Sequence, residues 1–277
     1  MSVVQKNNPA NFETGAITGQ ELQKHQKELE QSLQYASYIQ KSLFPKVHEI
    51  EKLFPDSFLL FMPRDIVSGD FYWVHTENNI VYLAVGDSTG HGVPGAFISI
   101  LGISFLNQVI SKYKTSNPSQ ILNYLREYFM KSLDQTGKDE EQKDGIDMAL
   151  CVFGTNWQQV SFAGAFNPLY IVRGNQLMQF EGEKMPIGIS AETENSFQAK
   201  TIDLQPNDML YLFTDGYPDQ FGGNQGKKFK YQKFRDLLVR CSKLPAIEQK
   251  KVLADEFANW KGNLPQIDDV TIMGVRI

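Results

Sequence analysis

QQVSFAGAFNPLYIVRGNQLMQFEG, residues 158–182, carries three short runs of β-branched and aromatic residues with only a few residues between them. Its RGNQ (173–176) suits a tight hairpin turn. Strands joined so closely pair antiparallel, because a parallel pair needs a crossover of about a dozen residues. The same texture extends outward through SFLLFM, DFYWV, NIVYLAVGD, MALCVFG, SFQAKTIDL, DMLYLFTDG and DVTIMGVRI, each bounded by Gly, Asn, Asp or Pro. Helical periodicity interrupts these runs at Pro94–Lys112, where Pro sits near a helix start, at Ser119–Leu133 and at Ala246–Trp260. Many strands with a few long helices predict an α+β fold, sheets covered by helices.

Composition narrows the function. The 277 residues are 42% hydrophobic and 21% charged, which excludes general disorder. A net charge of −5, from 27 basic and 32 acidic residues, argues against a nucleic-acid partner bound through counterion release. Cys151 and Cys241 have no CxxC spacing, so they read as buried hydrophobes in a reducing compartment rather than a disulfide or zinc framework. The polar N-terminus lacks the apolar core of a signal peptide. The most apolar stretch, Val93–Leu106, is broken by Gly, Pro and Ser and falls short of the roughly 20 residues a bilayer span needs. A cytoplasmic protein with no membrane partner is expected.

Residues 1–20 predict a flexible leader, 21–45 a helix ended by Pro45, and 46–277 a single domain. In the helix, Leu22, Leu29, Ala36 and Leu43 recur every seven residues, while the second seam position reads His25, Ser32, Ile39. A dimeric coiled coil and a helix lying on the main body both fit, so the helix is expected to be regulatory or dimerising, giving a possible homodimer.

Aspartates stand at strand ends: Asp70 in VSGDFYWV, Asp87 in VYLAVGDSTGHG, Asp215 in MLYLFTDG, and Asp268 with Asp269 in IDDVTIMGV. Carboxylates gathered at an apolar rim repel one another and are costly to desolvate, and divalent cations remove that cost. Histidine is scarce, which disfavours zinc, and hard oxygen donors suit Mg²⁺ or Mn²⁺. Glycines 69, 86, 90, 92 and 216 would let backbone approach ions or phosphate. Each aspartate alone is an ordinary turn residue; the set points to a two-metal site. Asp65, Asp203, Asp208 and Asp219 read as surface or turn residues. The Gly-rich turn at 85–97 lacks a P-loop lysine, and His91 reads as a backbone cap rather than a proton donor.

In order, YIQKSLFP (38–45), VSGDFYW (67–73), VGDSTGHGVPGAF (85–97), FAGAFNPLYIVRG (162–174), MPIGI (185–189), LYLFTDG (210–216) and DDVTIMGVRI (268–277) resemble the metal-dependent type 2C-like (PPM) serine/threonine protein phosphatases, in their bacterial SpoIIE-like branch. The resemblance runs from about residue 38 to the C-terminus. It implies an αββα sandwich of two mainly antiparallel sheets flanked by helices, with two divalent cations, Mn²⁺ or Mg²⁺, at one edge. By the same resemblance Asp87 bridges both ions, Asp70 serves one, Asp215 and Asp268 hold the other, and the Ser88 carbonyl is a further ligand. Asp268 is chosen over Asp269 as the first of the acidic pair. Ser88, Trp73 and AGAFNPL depart from the family pattern, and Thr89 stands where eukaryotic relatives have a general-acid histidine. No catalytic side chain is therefore assigned beyond the metal-bound water.

The resemblance implies hydrolysis of phosphoserine or phosphothreonine by a metal-bridging hydroxide, on a phosphorylated regulatory protein, with a STAS-domain anti-sigma-factor antagonist suspected. The competing readings are a non-catalytic pseudophosphatase that binds a partner, and a two-metal phosphodiesterase.

Overall fold

The computed structural model describes residues 19–138, 143–155, 157–190 and 195–277. The leader expected over 1–20 lies outside them except for Gly19 and Gln20, which already belong to α1 (Gly19–Leu43). Pro45 withholds the N–H needed to continue that helix, and α2 (Val47–Leu53) follows. Next come β1 (Ser57–Met62) and the hairpin β2 (Phe71–Glu77)–β3 (Ile80–Ser88), turned by Asn78 and Asn79 at φ 52° and 62°. Two left-handed residues match the strand twist, and Asn tolerates that conformation.

Two helices, α3 (Gly92–Tyr113) and α4 (Pro118–Ser132), come next, the second capped by Asn117 accepting from the Ser119 N–H. Strands β4 (Gly145–Phe153), β5 (Gln159–Ala165), β6 (Leu169–Arg173), β7 (Gln176–Phe180), β8 (Ile187–Gly188), β9 (Lys200–Asp203) and β10 (Met209–Phe213) follow. The chain ends with α5 (Gly216–Asp219), β11 (Phe221–Gly222), β12 (Lys227–Lys228), α6 (Tyr231–Cys241), α7 (Ala246–Lys261) and β13 (Val270–Arg276).

One sheet is ordered β1-β13-β10-β6-β7 and the other β2-β3-β4-β5-β9, with β8 paired to the start of β4. The ladders are antiparallel, and β13 and β10 pack across the sandwich onto β2 and β3. Helices α3 and α4 cover the second sheet; α6 and α7 cover the first. Side chains alternate along each strand, so Leu210 and Leu212 enter the core between the sheets while Met209, Tyr211 and Phe213 enter the core under α6 and α7. A strand buried on both faces must be apolar throughout, which is why MLYLF shows no alternation. The αββα sandwich implied by the family resemblance is the architecture observed.

The segment at 158–182 differs from expectation in its first half. β6 and β7 form the hairpin, with Arg173 opposite Gln176. β5 and β6, however, lie in different sheets. Phe166 at φ 55° turns the chain off the ladder, and Pro168 offers no N–H to resume it, so three residues carry the backbone across the sandwich.

Other expectations also need correction. The apolar stretch read as too short for a bilayer belongs to a 22-residue helix, α3, that is long and apolar enough. It lies on β3, β4 and α4 with Leu106, Val109 and Ile110 fully buried. Asp208 is no surface residue: it is buried and ion-paired to Arg173 at 2.7 Å. Along α1, Leu22 and Leu29 of the seam lie in a first half, 19–32, that is exposed throughout, and Ile39 and Leu43 are also exposed, while Ser37 and Gln40 in the second half are buried.

Candidate metal centre

β3 and β10 belong to opposite sheets but pack on one another, and β13 lies beside β10, so their ends reach one edge of the sandwich. Asp87 is the penultimate residue of β3, Asp215 leaves β10 to start α5, and Asp268 lies two residues before β13. These three carboxylates line a cavity of about 210 Å³ together with Ser88, His91 and Asp147.

Asp70 does not line the cavity. It lies fully buried just before β2, where its Oδ2 accepts from the hydroxyls of Thr214 and Thr271, both at 2.7 Å. Asp269 also turns away. Its Oδ1 accepts from the Arg64 N–H and its Oδ2 from the Gly69 N–H, each at 2.7 Å. The acidic pair is thereby divided: Asp268 faces the cavity, and Asp269 ties the segment before β2 to the start of β13.

Burial dominates the electrostatics. Asp87 is held well above the usual carboxylate range by burial, then by the charges of Asp70, Asp215, Asp268 and Asp147. Asp70 is raised in the same way, against the lowering effect of its two threonine donors. Burial pushes Asp147 up to about 7, with Asp215 adding to it. Asp215 rises to about 6 through burial and the charges of Asp268 and Asp219, and Asp268 is raised chiefly by burial. Crowded carboxylates so raised are the state a positive ion relieves.

Asp147 was not singled out from sequence. It stands on β4 directly opposite Asp87 in the ladder. The visible signal was a charge inside the apolar run GIDMALCVF, but its partner across the ladder is known only once register is known.

The glycines act differently from expectation at two positions. A Cβ on Gly216 would come within 1.9 Å of the Asp269 carbonyl, and one on Gly69 within 2.6 Å of the Gly90 carbonyl. Their bareness lets the site's own segments pack together, not an ion approach. His91 makes no side-chain cap to α3, contrary to expectation; its Nδ1 lies 3.3 Å from the Asp65 carboxylate.

Among the described residues, no three Asp, Glu, His or Cys side chains are gathered closely enough to hold an ion as they stand. The donor chemistry still fits Mg²⁺ or Mn²⁺: carboxylates converge on one small polar cavity, and the Ser88 hydroxyl is buried without a hydrogen-bond partner. A cation would draw the carboxylates inward by removing their mutual repulsion.

The family model for stage II sporulation protein E (SpoIIE) matches residues 77–277. Phosphoserine phosphatase RsbU of Bacillus subtilis (strain 168) is 25% identical over 203 residues, covering 69% of this chain and 54% of that protein. The chain thus spans about half the length of this curated relative. Among solved structures, the SiaA-PP2C domain of Pseudomonas aeruginosa superposes with a TM-score of 0.83 at 30% identity, covering 91% of this chain and 98% of that one. The PP2C phosphatase domain of SpoIIE from Bacillus subtilis, solved with a fragment of its regulatory domain, shares the fold with a TM-score of 0.62 at 18% identity, over 80% of this chain and 62% of that one.

Proposed function

The chain belongs to the SpoIIE family, and from that premise we propose that it is a metal-dependent phosphatase acting on phosphoserine or phosphothreonine in a regulatory protein. One observation carries the reading: Asp87 and Asp147 on two strands, Asp215 in the turn into α5 and Asp268 in the loop before β13 converge on a single cavity. Asp87, Asp215 and Asp268, with the Ser88 carbonyl, would hold two divalent cations. Asp70, its Oδ2 accepting from Thr214 and Thr271, would serve one of them. When bound, such ions acidify water to hydroxide near neutral pH and neutralise phosphoryl oxygens.

The chain's own residues supply position. Thr214 and Thr271 fix the Asp70 carboxylate, and Asp269 holds the Gly69 amide so that Asp70 enters β2 at a set place. Gly145 accepts from both the N–H and the hydroxyl of Thr89, fastening the loop after Asp87 to β4.

A STAS-domain antagonist is the proposed substrate, supported by the likeness to RsbU, which is named a phosphoserine phosphatase. A homodimer through α1 is proposed from its exposed Leu22, Leu29, Ile39 and Leu43. The test is phosphate release from a phosphoserine peptide with Mn²⁺, with EDTA, and with Asp87→Asn. Activity untouched by both chelator and substitution would remove the proposal.

A further inference from the structure

A lysine cluster lies on the strand–turn–strand β11–β12 and the first turn of α6. Lys227, Lys228, Lys230 and Lys233 surround Trp260 and line a cavity of about 380 Å³. Four ammonium groups within seven residues are unusual for a chain of net charge −5. Lys233 sits 3.9 Å above the Trp260 ring, Lys228 pairs with Asp219 at 2.7 Å, and Lys227 and Lys230 stand exposed.

The hairpin is fastened in place and joined to the carboxylate cavity. The Gly223 N–H donates to the Trp260 carbonyl (2.8 Å), the Phe229 N–H to Gln220 (2.9 Å) and the Lys230 N–H to Pro218 (2.6 Å). Pro218 belongs to α5, which begins one residue after Asp215. Fully buried Gln220 also accepts from the Ile267 N–H at 3.2 Å through Oε1, one residue before Asp268. Lys230 is held at φ 75° and ψ 147°, backbone space that normally belongs to glycine.

We propose that this lysine hairpin docks an acidic stretch of the phosphoprotein substrate next to its phosphoserine. The proposal rests on the phosphatase reading and adds the substrate's chemistry. The hairpin is joined to the carboxylate cavity through α5, where Lys228 pairs with Asp219 four residues after Asp215, and the exposed Lys227 and Lys230 add positive charge that complements an acidic segment. Exposed lysines lose little by binding at the surface, because their charges stay partly hydrated.

The experiment measures binding by fluorescence anisotropy with two labelled peptides. One carries a phosphoserine followed by four glutamates; in the other, glutamines replace the glutamates. The acidic peptide should bind about tenfold tighter at low salt, and the preference should shrink as ionic strength passes 0.15 M, where the Debye length is about 8 Å. Lys227→Glu with Lys230→Glu should abolish the preference, whereas Lys24→Glu with Lys27→Glu on the exposed first half of α1 should preserve it. Equal binding of the two peptides, or a preference that survives the hairpin substitutions, overturns the docking surface. Displacement of the acidic peptide by an oligonucleotide of equal charge at equal concentration also overturns it. A chain that prefers the acidic peptide but releases no phosphate with Mn²⁺ overturns the phosphatase reading alone.

Discussion

Asp87 on β3 and Asp147 on β4 stand directly opposite each other in an antiparallel ladder, two carboxylates facing one cavity. Like charges so opposed oppose pairing of the strands, and burial adds to the cost. We expect Asp147→Asn to stabilise the metal-free chain by about 1–3 kcal/mol, seen in EDTA as a Tm rise of roughly 2–4 °C per kcal/mol. The same substitution should weaken Mn²⁺ binding measured by titration calorimetry. A lower Tm in EDTA would show that the Asp147 carboxylate makes a favourable contact instead.

Stability of the metal-free chain should fall as pH rises. Burial lifts Asp147 from 3.8 to about 7 and Asp215 from 3.8 to about 6, so the folded state holds protons that the unfolded chain has already released. The penalty is absent below the unfolded value, grows through the interval, and is complete above about pH 7. Thermal melts in EDTA should therefore give a lower Tm at pH 8 than at pH 5.5, and Mn²⁺ should narrow that gap by taking the place of the protons. A Tm that rises with pH in EDTA would contradict the shifts.

Adjacent aspartates should fail in different ways. Asp269 is buried and accepts two backbone N–H bonds, so Asp269→Ala leaves two donors unpaired and should cost about 2–4 kcal/mol in urea unfolding. Asp268→Asn removes a crowded charge from the cavity while keeping an Oδ1 to accept the Asp269 N–H. It should leave metal-free stability level or higher while lowering Mn²⁺-dependent phosphate release by about a hundredfold or more. Similar losses of stability for the two variants would erase the distinction between ligand and tie.

The layers of the fold were legible because strand length, turn chemistry and helical period are local properties. The rim aspartates were legible for a related reason: a charge where an apolar run stops is visible without register. What escaped depends on contacts distant in sequence. Asp147 acquires its partner only through the β3–β4 register, and Asp269 differs from Asp268 only through donors about 200 residues away. The transfer from β5 to β6 between sheets was hidden because three residues can serve a hairpin or a corner, and the choice was made by the Phe166 backbone. α6 escaped because Gln232, Lys233, Arg235 and Asp236 surround Phe234 and leave the buried positions Phe234, Leu237 and Leu238 too few to show a period.

The two halves of α1 allow its proposed roles to be separated. Gln40 is buried, its amide nitrogen donating to the Ser68 carbonyl (2.6 Å) and the Ser99 hydroxyl (2.8 Å), and its oxygen accepting from the Ser68 N–H (3.1 Å). Those bonds hold the strand entry two residues before Asp70, whereas Leu22 and Leu29 touch only solvent. Deleting residues 1–44 would therefore remove an interface and a structural tie together. Leu22→Asp with Leu29→Asp should halve the mass seen by light scattering with little change in Tm, because exposed leucines add little to the fold of one chain. Gln40→Ala should leave the mass unchanged and lower stability by about 1–3 kcal/mol, since it strands the Ser68 amide and leaves its carbonyl only the longer bond from the Ser99 hydroxyl. Because Ser68 leads into Asp70, the Gln40 variant should also need more Mn²⁺ for half-maximal phosphate release. A monomeric mass for the unsubstituted chain would remove the dimer, and an unchanged Mn²⁺ requirement in Gln40→Ala would show that α1 does not position the site.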